Sequence, residues 1–218
     1  MIMDNHKEYI HNSRMHYEKD ELLESVIANN PFDQFATWFQ MALDEKNMEP
    51  HAMDLATVGP DGFPSARIVL LRDYNENGFT FFTNYHSQKG TDMTQNPRVT
   101  LNFFWPPLQK QIRISGLVSR VDEAVSDEYF QSRPRESQIG AWASNQSKVI
   151  ANRNVLVEKV KQLEADFESK EVPRPQHWGG YVVRPIKIEF WQGRPNRLHD
   201  RILYTLENKA WKIERLSP

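Results

Sequence analysis

The chain contains no cysteine, so disulfide bonds, thiolate nucleophiles and cysteine-ligated metal ions are excluded. It has only 9 glycines among 218 residues, and neither GxGxxG nor GxxxxGK[ST], the two common glycine-rich nucleotide patterns, occurs. The 7 histidines form neither HExxH nor a paired metal-binding spacing, which argues against a zinc site. Any phosphorylated ligand would therefore have to be held by arginine and lysine side chains.

Charge and hydropathy exclude two further classes of protein. The formal net charge is −2, so no field of the whole molecule would attract nucleic acid. No run approaches the ~20 apolar residues that a membrane helix requires. The polar first 30 residues do not resemble a secretory signal. We therefore expect a cytoplasmic protein with neither a nucleic-acid nor a membrane partner.

Short strands separated by turn residues dominate the predicted secondary structure. The close spacing of these strands favours a β-barrel or a sandwich over a fold of alternating strands and helices. We predict strands over residues 52–58, 65–72, 79–83, 98–105, 109–121, 179–192, 201–206 and 210–216. Helices are predicted to begin after Asn30 and at Ser87, and to cover residues 122–131, 139–144 and 155–167. Without a repeat or a linker, residues 1–218 are predicted to form one domain, with 1–29 as a mobile N-terminal arm.

The run RLHDR near the C-terminus is the first candidate for chemistry. If it is extended, strand alternation places Arg197, His199 and Arg201 on one face. The segment IEFWQG lies just upstream, so Trp191 would provide an aromatic wall beside these cations, as a flat heterocyclic anion requires. Taken alone, the same run is more typical of a solvated strand face with ion pairs to neighbouring carboxylates.

The segment EYFQSRPRESQIGAWAS is the second candidate. Tyr129 and Arg133 are four residues apart and would share a helix face, Pro134 would end that helix, and Ser137 follows the break. A phenol, a guanidinium and a hydroxyl that converge would suit a phosphate monoester. Equally, Arg133 could stabilise a helix C-terminus and Ser137 could be an ordinary N-cap, and the spacing favours neither interpretation.

Two further segments carry cations. In ARIVLLR, Arg67 and Arg72 are an odd number of residues apart, so a regular strand would point them to opposite faces. They would then serve different ligands, different ends of one site, or simply the ends of a core strand. In TNYHSQKG, Lys89 lies near a helix start and could hold a phosphate together with backbone N–H groups, although a single lysine there is more often a surface residue.

Together these segments resemble the pyridoxamine 5'-phosphate oxidase family. IEFWQGRPNRLHDR is similar to the family's C-terminal signature, and its other blocks are matched in order by RIVLLR, FFTNYHSQKG, NPRVTLNFFW, SRPRESQIGAWAS, WGGYVV and WKIERLSP. The similarity extends from about residue 14 to residue 218. It implies a mainly β protein, an FMN-binding split β-barrel of Greek-key type with peripheral α-helices. It also implies a homodimer with FMN at the subunit interface.

The activity that the resemblance implies belongs to vitamin B6 metabolism. An FMN-dependent oxidase would convert pyridoxamine 5'-phosphate and pyridoxine 5'-phosphate to pyridoxal 5'-phosphate, with O2 as electron acceptor and H2O2 as product. Two alternatives remain open: a split-barrel flavin reductase with another substrate, and a non-catalytic carrier of FMN or pyridoxal phosphate. The residues Tyr129, Arg133 and Ser137 argue against the reductase, and Arg197 with His199 argues against the carrier.

The resemblance also implies which residues bind each ligand. Those implied for FMN are Arg67, Ile68, Val69, Leu70, Leu71, Arg72, Phe82, Thr83, Gln88, Lys89, Gln111, Gln146, Ser147, Trp191 and Arg201. Those implied for the substrate are Arg14, Tyr17, Arg72, Tyr129, Arg133, Ser137, Arg197 and His199. Arg197 and His199 would flank the pyridine ring and take part in catalysis, His199 as a partner of Arg197 or as a proton acceptor. Arg14 and Tyr17 would lie on an N-terminal segment that closes over the ring.

Two positions differ from the usual pattern of the family. Arg72 stands where the family usually has lysine, so a planar fork replaces a point charge and the geometry of phosphate binding is expected to change. Gln88 stands where the family usually has arginine, which removes one cation near the expected FMN phosphate. We therefore expect weaker FMN retention than in typical members.

Overall fold

The computed structural model describes residues 2–13, 15–46 and 49–218, and its centre is one curled antiparallel sheet. In these residues the strands are β1 (Ala52–Val58), β2 (Pro64–Leu70), β3 (Asp73–Asn75), β4 (Gly78–Asn84), β5 (Arg98–Trp105), β6 (Lys110–Arg120), β7 (Trp178–Gln192), β8 (Asp200–Glu207) and β9 (Ala210–Arg215). The helices are α1 (Ile2–Asn12), α2 (Pro31–Asp44), α3 (Gln88–Gln95), α4 (Glu123–Ser132), α5 (Arg135–Ala143) and α6 (Asn154–Asp166). The predicted mainly β architecture with peripheral helices is confirmed.

Strand β7 organises the sheet because it pairs with three neighbours. The strand order is β2-β1-β5-β6-β7-β4-β3, and β8 pairs with both β7 and β9. The first part of β7, from Trp178 to Val183, pairs with β4, whereas the last part, from Lys187 to Gln192, pairs with β8. Between the two parts lies Pro185, which has no N–H to donate, and the register with β6 shifts opposite it at Gly116. β6 continues along β7 on both sides of this point, whereas the strand on the other edge of β7 changes from β4 to β8.

Helix α2 packs its buried side chains into the main core of the sheet. Its start matches the prediction: the side chain of the N-cap Asn30 accepts a hydrogen bond from the Phe32 N–H, and Pro31 takes the first helical position. The Phe35 ring is fully buried and lies 4.9 Å from the Phe79 ring and 5.3 Å from the Phe103 ring, centre to centre. Burial of such rings contributes about 2–3 kcal/mol each, which fixes α2 on the sheet.

A second, smaller core holds the other helices beside β4. Phe130 of α4 and Ile139 of α5 are buried together with Val172 and with Trp178 at the start of β7. Pro134 both ends α4 and serves as the N-cap of α5, so the helix predicted over residues 139–144 begins earlier, at Arg135. This arrangement fixes the α4–α5 corner next to the end of β4.

The N-terminal residues contact the sheet in this structure. Residues 16–24 lie near the start of β6 and the end of β7, and several of their backbone groups are bonded to side chains there. The interpretation of residues 1–29 as a mobile arm, and of residues 1–218 as one domain, stays a prediction. Among the described helices, none combines the length and apolar character needed to cross a bilayer.

Candidate active site

A cavity of about 800 Å³ opens between β2, β4, the α4–α5 corner and the loop that follows α5. We call it the cationic cavity. Residues singled out from the sequence that line it are Arg67, Ile68, Val69, Leu70, Arg72, Phe82, Thr83, Gln88, Lys89, Tyr129, Arg133, Ser137, Gln146 and Ser147. Its volume lies in the range of pockets that bind cofactors and other small molecules. Leu71, also expected at FMN, does not line this cavity, and its side chain is buried in the core.

One end of the cationic cavity is built around Lys89. Its ammonium lies 3.0 Å from the Gln146 side-chain oxygen and 3.3 Å from the hydroxyl oxygens of Thr83 and Ser87. Burial, followed by the charge of Arg67, lowers the pKa of Lys89 to about 8. Ser87 is also the N-cap of α3, as predicted, so helix N–H groups face the same region. This end has the composition of an anion site.

Arg67 is held rigidly at the same end. Its guanidinium donates to the hydroxyls of Thr57 and Ser65, both at 2.6 Å, and to the carbonyl oxygen of Leu55 at 3.1 Å. The nearest counter-charge is the buried carboxylate of Asp92, 3.9 Å away. Burial lowers the pKa of Arg67, although Asp92 acts in the opposite direction. A fixed guanidinium needs little reordering to bind a phosphate.

Arg133 marks the other end of the cationic cavity. Its guanidinium lies 4.5 Å from the centre of the Trp178 ring, and burial lowers its pKa. Among the residues that the structure describes, no group accepts a hydrogen bond from its buried Nη1 atom. Tyr129 and Ser137 line the same cavity. Since a buried donor without a partner costs about 1–3 kcal/mol or more, this atom favours an anionic ligand.

The structure bears on the capping role that was the alternative for this segment. Pro134, and not Ser137, occupies the N-cap position of α5, so the Ser137 hydroxyl is not used as a cap. Arg133 is the C-cap residue of α4, where its backbone N–H bonds the Phe130 carbonyl oxygen. Its guanidinium lies 4.5 Å from the Trp178 ring centre and 5.6 Å from that of Phe130. Both side chains are thus available to a ligand in the cavity.

Strand alternation does not relate Arg67 to Arg72 as expected, and the alternative that they serve different ends of one site stays a prediction. Strand β2 ends at Leu70, and the Arg72 N–H bonds the Thr80 carbonyl oxygen in the link to β3. Strand alternation therefore does not extend to Arg72, and both arginines line the cationic cavity. The Arg72 guanidinium lies 5.9 Å from the Tyr129 ring centre, near the Arg133 end.

A second group of predicted residues lies elsewhere. The rings of Tyr17, Trp191 and His199 pack together, with centre-to-centre distances of 5.8 Å (Tyr17–Trp191), 5.6 Å (Tyr17–His199) and 4.7 Å (Trp191–His199). With the adjacent Arg197 we call them the aromatic cluster. A cavity of about 360 Å³ beside them is lined by Tyr17, Arg197 and His199 among others. Arg14, predicted to act with Tyr17, lies outside the described residues.

The prediction that Arg197, His199 and Arg201 share an extended face is wrong. Pro195 begins a 3-10 turn, Pro195–Arg197, and β8 starts only at Asp200. Asn196 and Arg197 have positive φ angles of 56° and 64°. For a non-glycine residue this conformation costs about 1–2 kcal/mol, so the rest of the loop must hold Arg197 in place.

The His199 ring is fixed by its own loop. The backbone N–H of Arg194 donates to Nδ1 of His199 at 3.0 Å, so that nitrogen carries a lone pair. In neutral His199 the proton then resides on Nε2. Partial burial and the charge of Arg197 lower the pKa of His199, against the opposing effect of Asp200. The ring is therefore held as a neutral hydrogen-bond donor.

Three more residues expected at FMN, namely Gln111, Trp191 and Arg201, lie side by side on the neighbouring strands β6, β7 and β8. Trp191 pairs with Gln111 on β6 and with Arg201 on β8. The Arg201 guanidinium donates to Glu189 at 2.9 Å and to the Ser217 carbonyl oxygen at 2.8 Å. Gln111 and Arg201 line neither of the two cavities described above. They belong with the aromatic cluster and not with the cationic cavity.

The structure does not bring the two groups together within one chain. Phe82 of the cationic cavity pairs with Gly180 near the start of β7, whereas Trp191 lies near its end. At ~3.3 Å per residue, the distance from Gly180 to Trp191 along the strand is on the order of 35 Å. The two groups thus lie towards opposite ends of β7, and the two cavities share no lining residue.

Asp92 belongs to the Arg67 end of the cationic cavity, although the sequence motifs did not indicate it. Its buried carboxylate accepts from the Thr57 hydroxyl at 2.7 Å and from the Gln88 amide at 2.8 Å, and it faces Arg67. Gln88 and Asp92 are four residues apart on α3, so helical spacing could have placed them on one face. The Gln88 side chain is thus turned towards Asp92, where the usual arginine would add a cation.

Family models match most of the chain. A model described as pyridoxamine 5'-phosphate oxidase matches residues 39–165, and one described as pyridoxine 5'-phosphate oxidase C-terminal dimerisation region matches residues 178–218. A pyridoxine/pyridoxamine 5'-phosphate oxidase of Trichormus variabilis is 53% identical over 94% of this chain and 96% of its own length. The enzyme of that name from Actinobacillus succinogenes is 54% identical over 96% of this chain and 99% of its own length.

Solved structures agree with these matches. PhzG from Burkholderia lata 383, in complex with tetrahydrophenazine-1-carboxylic acid, superposes with a TM-score of 0.85 at 28% identity, covering 91% of this chain and 98% of PhzG. A pyridoxamine 5'-phosphate oxidase-related, FMN binding protein from Nostoc punctiforme shares the fold, with a TM-score of 0.69 at 16% identity over 87% of this chain and 98% of that protein. Since curated relatives are more than half identical along nearly its whole length, the chain belongs to the pyridoxine/pyridoxamine 5'-phosphate oxidase family of oxidoreductases.

Proposed function

We propose that the chain is an FMN-dependent oxidase that converts pyridoxamine 5'-phosphate and pyridoxine 5'-phosphate to pyridoxal 5'-phosphate. The observation that carries this proposal is the buried Nη1 of Arg133, a donor without a partner among the described residues, in a cavity that Tyr129 and Ser137 also line. A substrate phosphate would supply the missing acceptors. The names of the curated relatives support the same substrates.

The other end of the cationic cavity fits the phosphate of FMN. Lys89, Arg67 and the Ser87-capped start of α3 place two cations and helix N–H groups together. Phe82 stacks on Tyr129 at 3.9 Å between the two ends and provides a flat apolar wall for a ring system. Bound FMN would supply the electron acceptor for the substrate and pass the electrons to O2, with H2O2 as product.

A complete site requires a second copy of the chain in this proposal. The cationic cavity of one copy would face the aromatic cluster of the other, since on the order of 35 Å of β7 separates the two groups within one copy. The family model that covers residues 178–218, and thus Trp191, Arg197 and His199, is described as a dimerisation region. We therefore propose a symmetric homodimer with FMN at the subunit interface.

Arg197 and His199 would act by holding the substrate ring and balancing charge. Arg197 would provide a cation beside the ring, from a turn in which its backbone has a positive φ of 64°. His199, with its proton on Nε2, would donate a hydrogen bond to the substrate. This geometry favours a donor role for His199 over that of a proton acceptor. Positioning of this kind can contribute much of the rate of an oxidase whose cofactor performs the redox step.

Two substitutions of His199 can distinguish the role of its Nε2 donor from that of its Nδ1 acceptor. In His199→Gln the amide nitrogen can replace the Nε2 donor, whereas in His199→Asn the amide oxygen can replace only the Nδ1 acceptor of the Arg194 N–H. We expect kcat/KM to fall about tenfold in His199→Asn and to change by about threefold or less in His199→Gln, as for loss or retention of one hydrogen bond. Steady-state kinetics with pyridoxamine 5'-phosphate measure this difference.

The pH profile provides the control for this experiment. A protonated His199 would carry hydrogens on both nitrogens and could not accept the Arg194 N–H bond. Wild-type kcat/KM should therefore be full above the lowered pKa of His199 and decline as the pH falls through it. Neither variant should show this decline. A larger loss in His199→Gln than in His199→Asn would contradict the donor assignment.

One assay tests the proposed function itself. Purified protein with FMN is mixed with pyridoxamine 5'-phosphate under air, and the aldehyde and H2O2 are followed together. Equal amounts of both products are expected, with far slower turnover of pyridoxamine, which lacks the phosphate that Arg133 would bind. Bound flavin without product would instead favour a carrier. Activity only with another electron donor would favour a flavin reductase.

A further inference from the structure

The N-terminal segment is fastened by a side chain that none of the family motifs includes. Gln109 precedes β6 with a left-handed backbone, at a φ of 54°. Its Oε1 accepts the backbone N–H groups of Glu18 at 3.0 Å and Lys19 at 3.2 Å, and its Nε2 donates to the His16 carbonyl oxygen at 3.2 Å. One amide thus satisfies three backbone groups of a segment about 90 residues away in sequence.

The next residue adds a buried ion pair. The side chain of Lys110 is only 1% exposed, and its ammonium lies 2.7 Å from the Asp20 carboxylate. The same ammonium bonds the Gln192 side-chain oxygen and lies 4.7 Å from the Trp38 ring centre. Burial lowers the pKa of Lys110, against the opposing effect of Asp20. Because an unpaired buried ammonium is costly, the docked segment supplies the charge that Lys110 needs.

The fastened segment carries Tyr17 into the aromatic cluster. Tyr17 lies three residues before Asp20 and contacts the Trp191 and His199 rings edge-on. Its ring also packs on Gly193, next to Gln192: a Cβ at Gly193 would lie 2.8 Å from two Tyr17 ring carbons. The contacts of Gln109 and Lys110 therefore determine where the Tyr17 ring lies.

We propose that Gln109 and Lys110 are positioning residues that hold residues 16–20 in place, so that Tyr17 closes the aromatic cluster over the substrate. This inference rests on the proposed function and extends it to two residues outside the ligand-binding set. The segment covers the substrate both in the enzyme–substrate complex and in the transition state. Loosening it should therefore weaken substrate binding, measured as KM, more than it slows the catalytic step, measured as kcat.

Two variants and one control test the proposal in the FMN-loaded dimer. Lys110→Met removes the charge but keeps the length of the side chain. Gln109→Asn keeps an amide that tolerates the left-handed backbone but shortens it by one methylene group. Lys161→Met is the matched control, because Lys161 pairs with Glu158 at 3.4 Å on the surface of α6 and is 66% exposed. Trypsin cleavage after Lys19 reports whether the segment is held, independently of activity.

In Lys110→Met and Gln109→Asn we expect KM for pyridoxamine 5'-phosphate to rise about tenfold while kcat changes by about threefold or less. Cleavage after Lys19 should accelerate by about tenfold, while cleavage in α6 keeps its wild-type rate. Lys161→Met should match the wild type in KM, in kcat and in cleavage after Lys19. Wild-type KM and cleavage in the two variants, or faster cleavage at every site with reduced kcat, would overturn the proposal.

The ion pair between Asp20 and Lys110 can be tested separately. Asp20→Asn leaves the buried Lys110 charge without a carboxylate, so it should accelerate cleavage after Lys19. The double variant, which has neither charge, should be cleaved more slowly than Asp20→Asn alone. Additive effects would contradict the pairing. If the wild type shows no oxidase activity, the proposed function fails, whereas these cleavage rates still decide whether Gln109 and Lys110 hold the segment.

Discussion

Two inactive variants, Arg133→Met and Arg197→Met, are expected to regain turnover when their chains are exchanged into mixed dimers. Arg133 belongs to the cationic cavity and Arg197 to the aromatic cluster, two groups that β7 keeps apart within one copy. If each site combines the cavity of one copy with the cluster of the other, a mixed dimer contains one intact site and one site that lacks both arginines. Sites built within one chain would each lack one arginine and stay inactive.

The expected recovery of turnover follows from the fraction of mixed dimers and the number of intact sites in each. Random exchange of equal amounts gives about half mixed dimers, and each has one intact site of two, so roughly a quarter of wild-type turnover is expected from a symmetric dimer. Differently tagged chains and native mass spectrometry would measure the mixed fraction alongside oxidase activity. Since both parent variants should be nearly inactive, the increase would be many-fold.

A second pair of variants provides the matched control. Arg133 and Lys89 both line the cationic cavity, so mixed dimers of Arg133→Met and Lys89→Met would contain two sites with one defect each. This pair should not recover. Recovery in the control pair, or none in the first pair when mixed dimers are demonstrated, would rule out a site shared between copies.

Arg197→Met is expected to lower kcat by about 100-fold or more, as loss of a fixed charge-stabilising donor does in other enzymes. The FMN dissociation constant should stay within about twofold, because the cations near the proposed FMN phosphate, Arg67 and Lys89, lie in the other group. Methionine approximates the length of the aliphatic part of arginine, so packing of the turn is largely retained. Stopped-flow reduction of bound FMN and a fluorescence titration of FMN measure the two quantities.

Arg184→Met is the control for this experiment. Arg184 lies on β7 like Trp191, but its guanidinium is exposed and donates to the Ser119 hydroxyl at 3.1 Å. Its loss should leave turnover at the wild-type value. Wild-type turnover in Arg197→Met, or a loss of FMN as large as the loss of turnover, would remove Arg197 from the proposed catalytic role.

Local features of the fold could be predicted because short stretches of sequence encode them. Asn30 and Pro31 identify the start of α2, Ser87 identifies the start of α3, and alternation gives the observed bounds of β1. In each case the decisive contacts lie within a few residues, as for the Asn30 side chain and the Phe32 N–H. The family motifs likewise indicated most of the residues that line the cationic cavity.

The errors arose where distant contacts determine the conformation. Alternation failed for Arg197 and His199 because Pro195 starts a turn, and for Arg72 because β2 ends at Leu70 and the link to β3 bonds Thr80. The separation of the two groups depends on β4 pairing with the start of β7 and β8 with its end, which no local pattern encodes. Gln109 and Lys110 were missed for the same reason, since their partners lie near residue 20.

The length of β7 has a consequence for how this protein would become active in the cell. If each site is shared between two copies, as proposed, a newly made chain contains parts of two different sites and no whole one, however well it has folded. At concentrations below the dissociation constant of the dimer, total turnover would rise with the square of the chain concentration and not in proportion to it. Assembly would then be the activation step, and the synthesis of a reactive aldehyde would begin only after two chains have met.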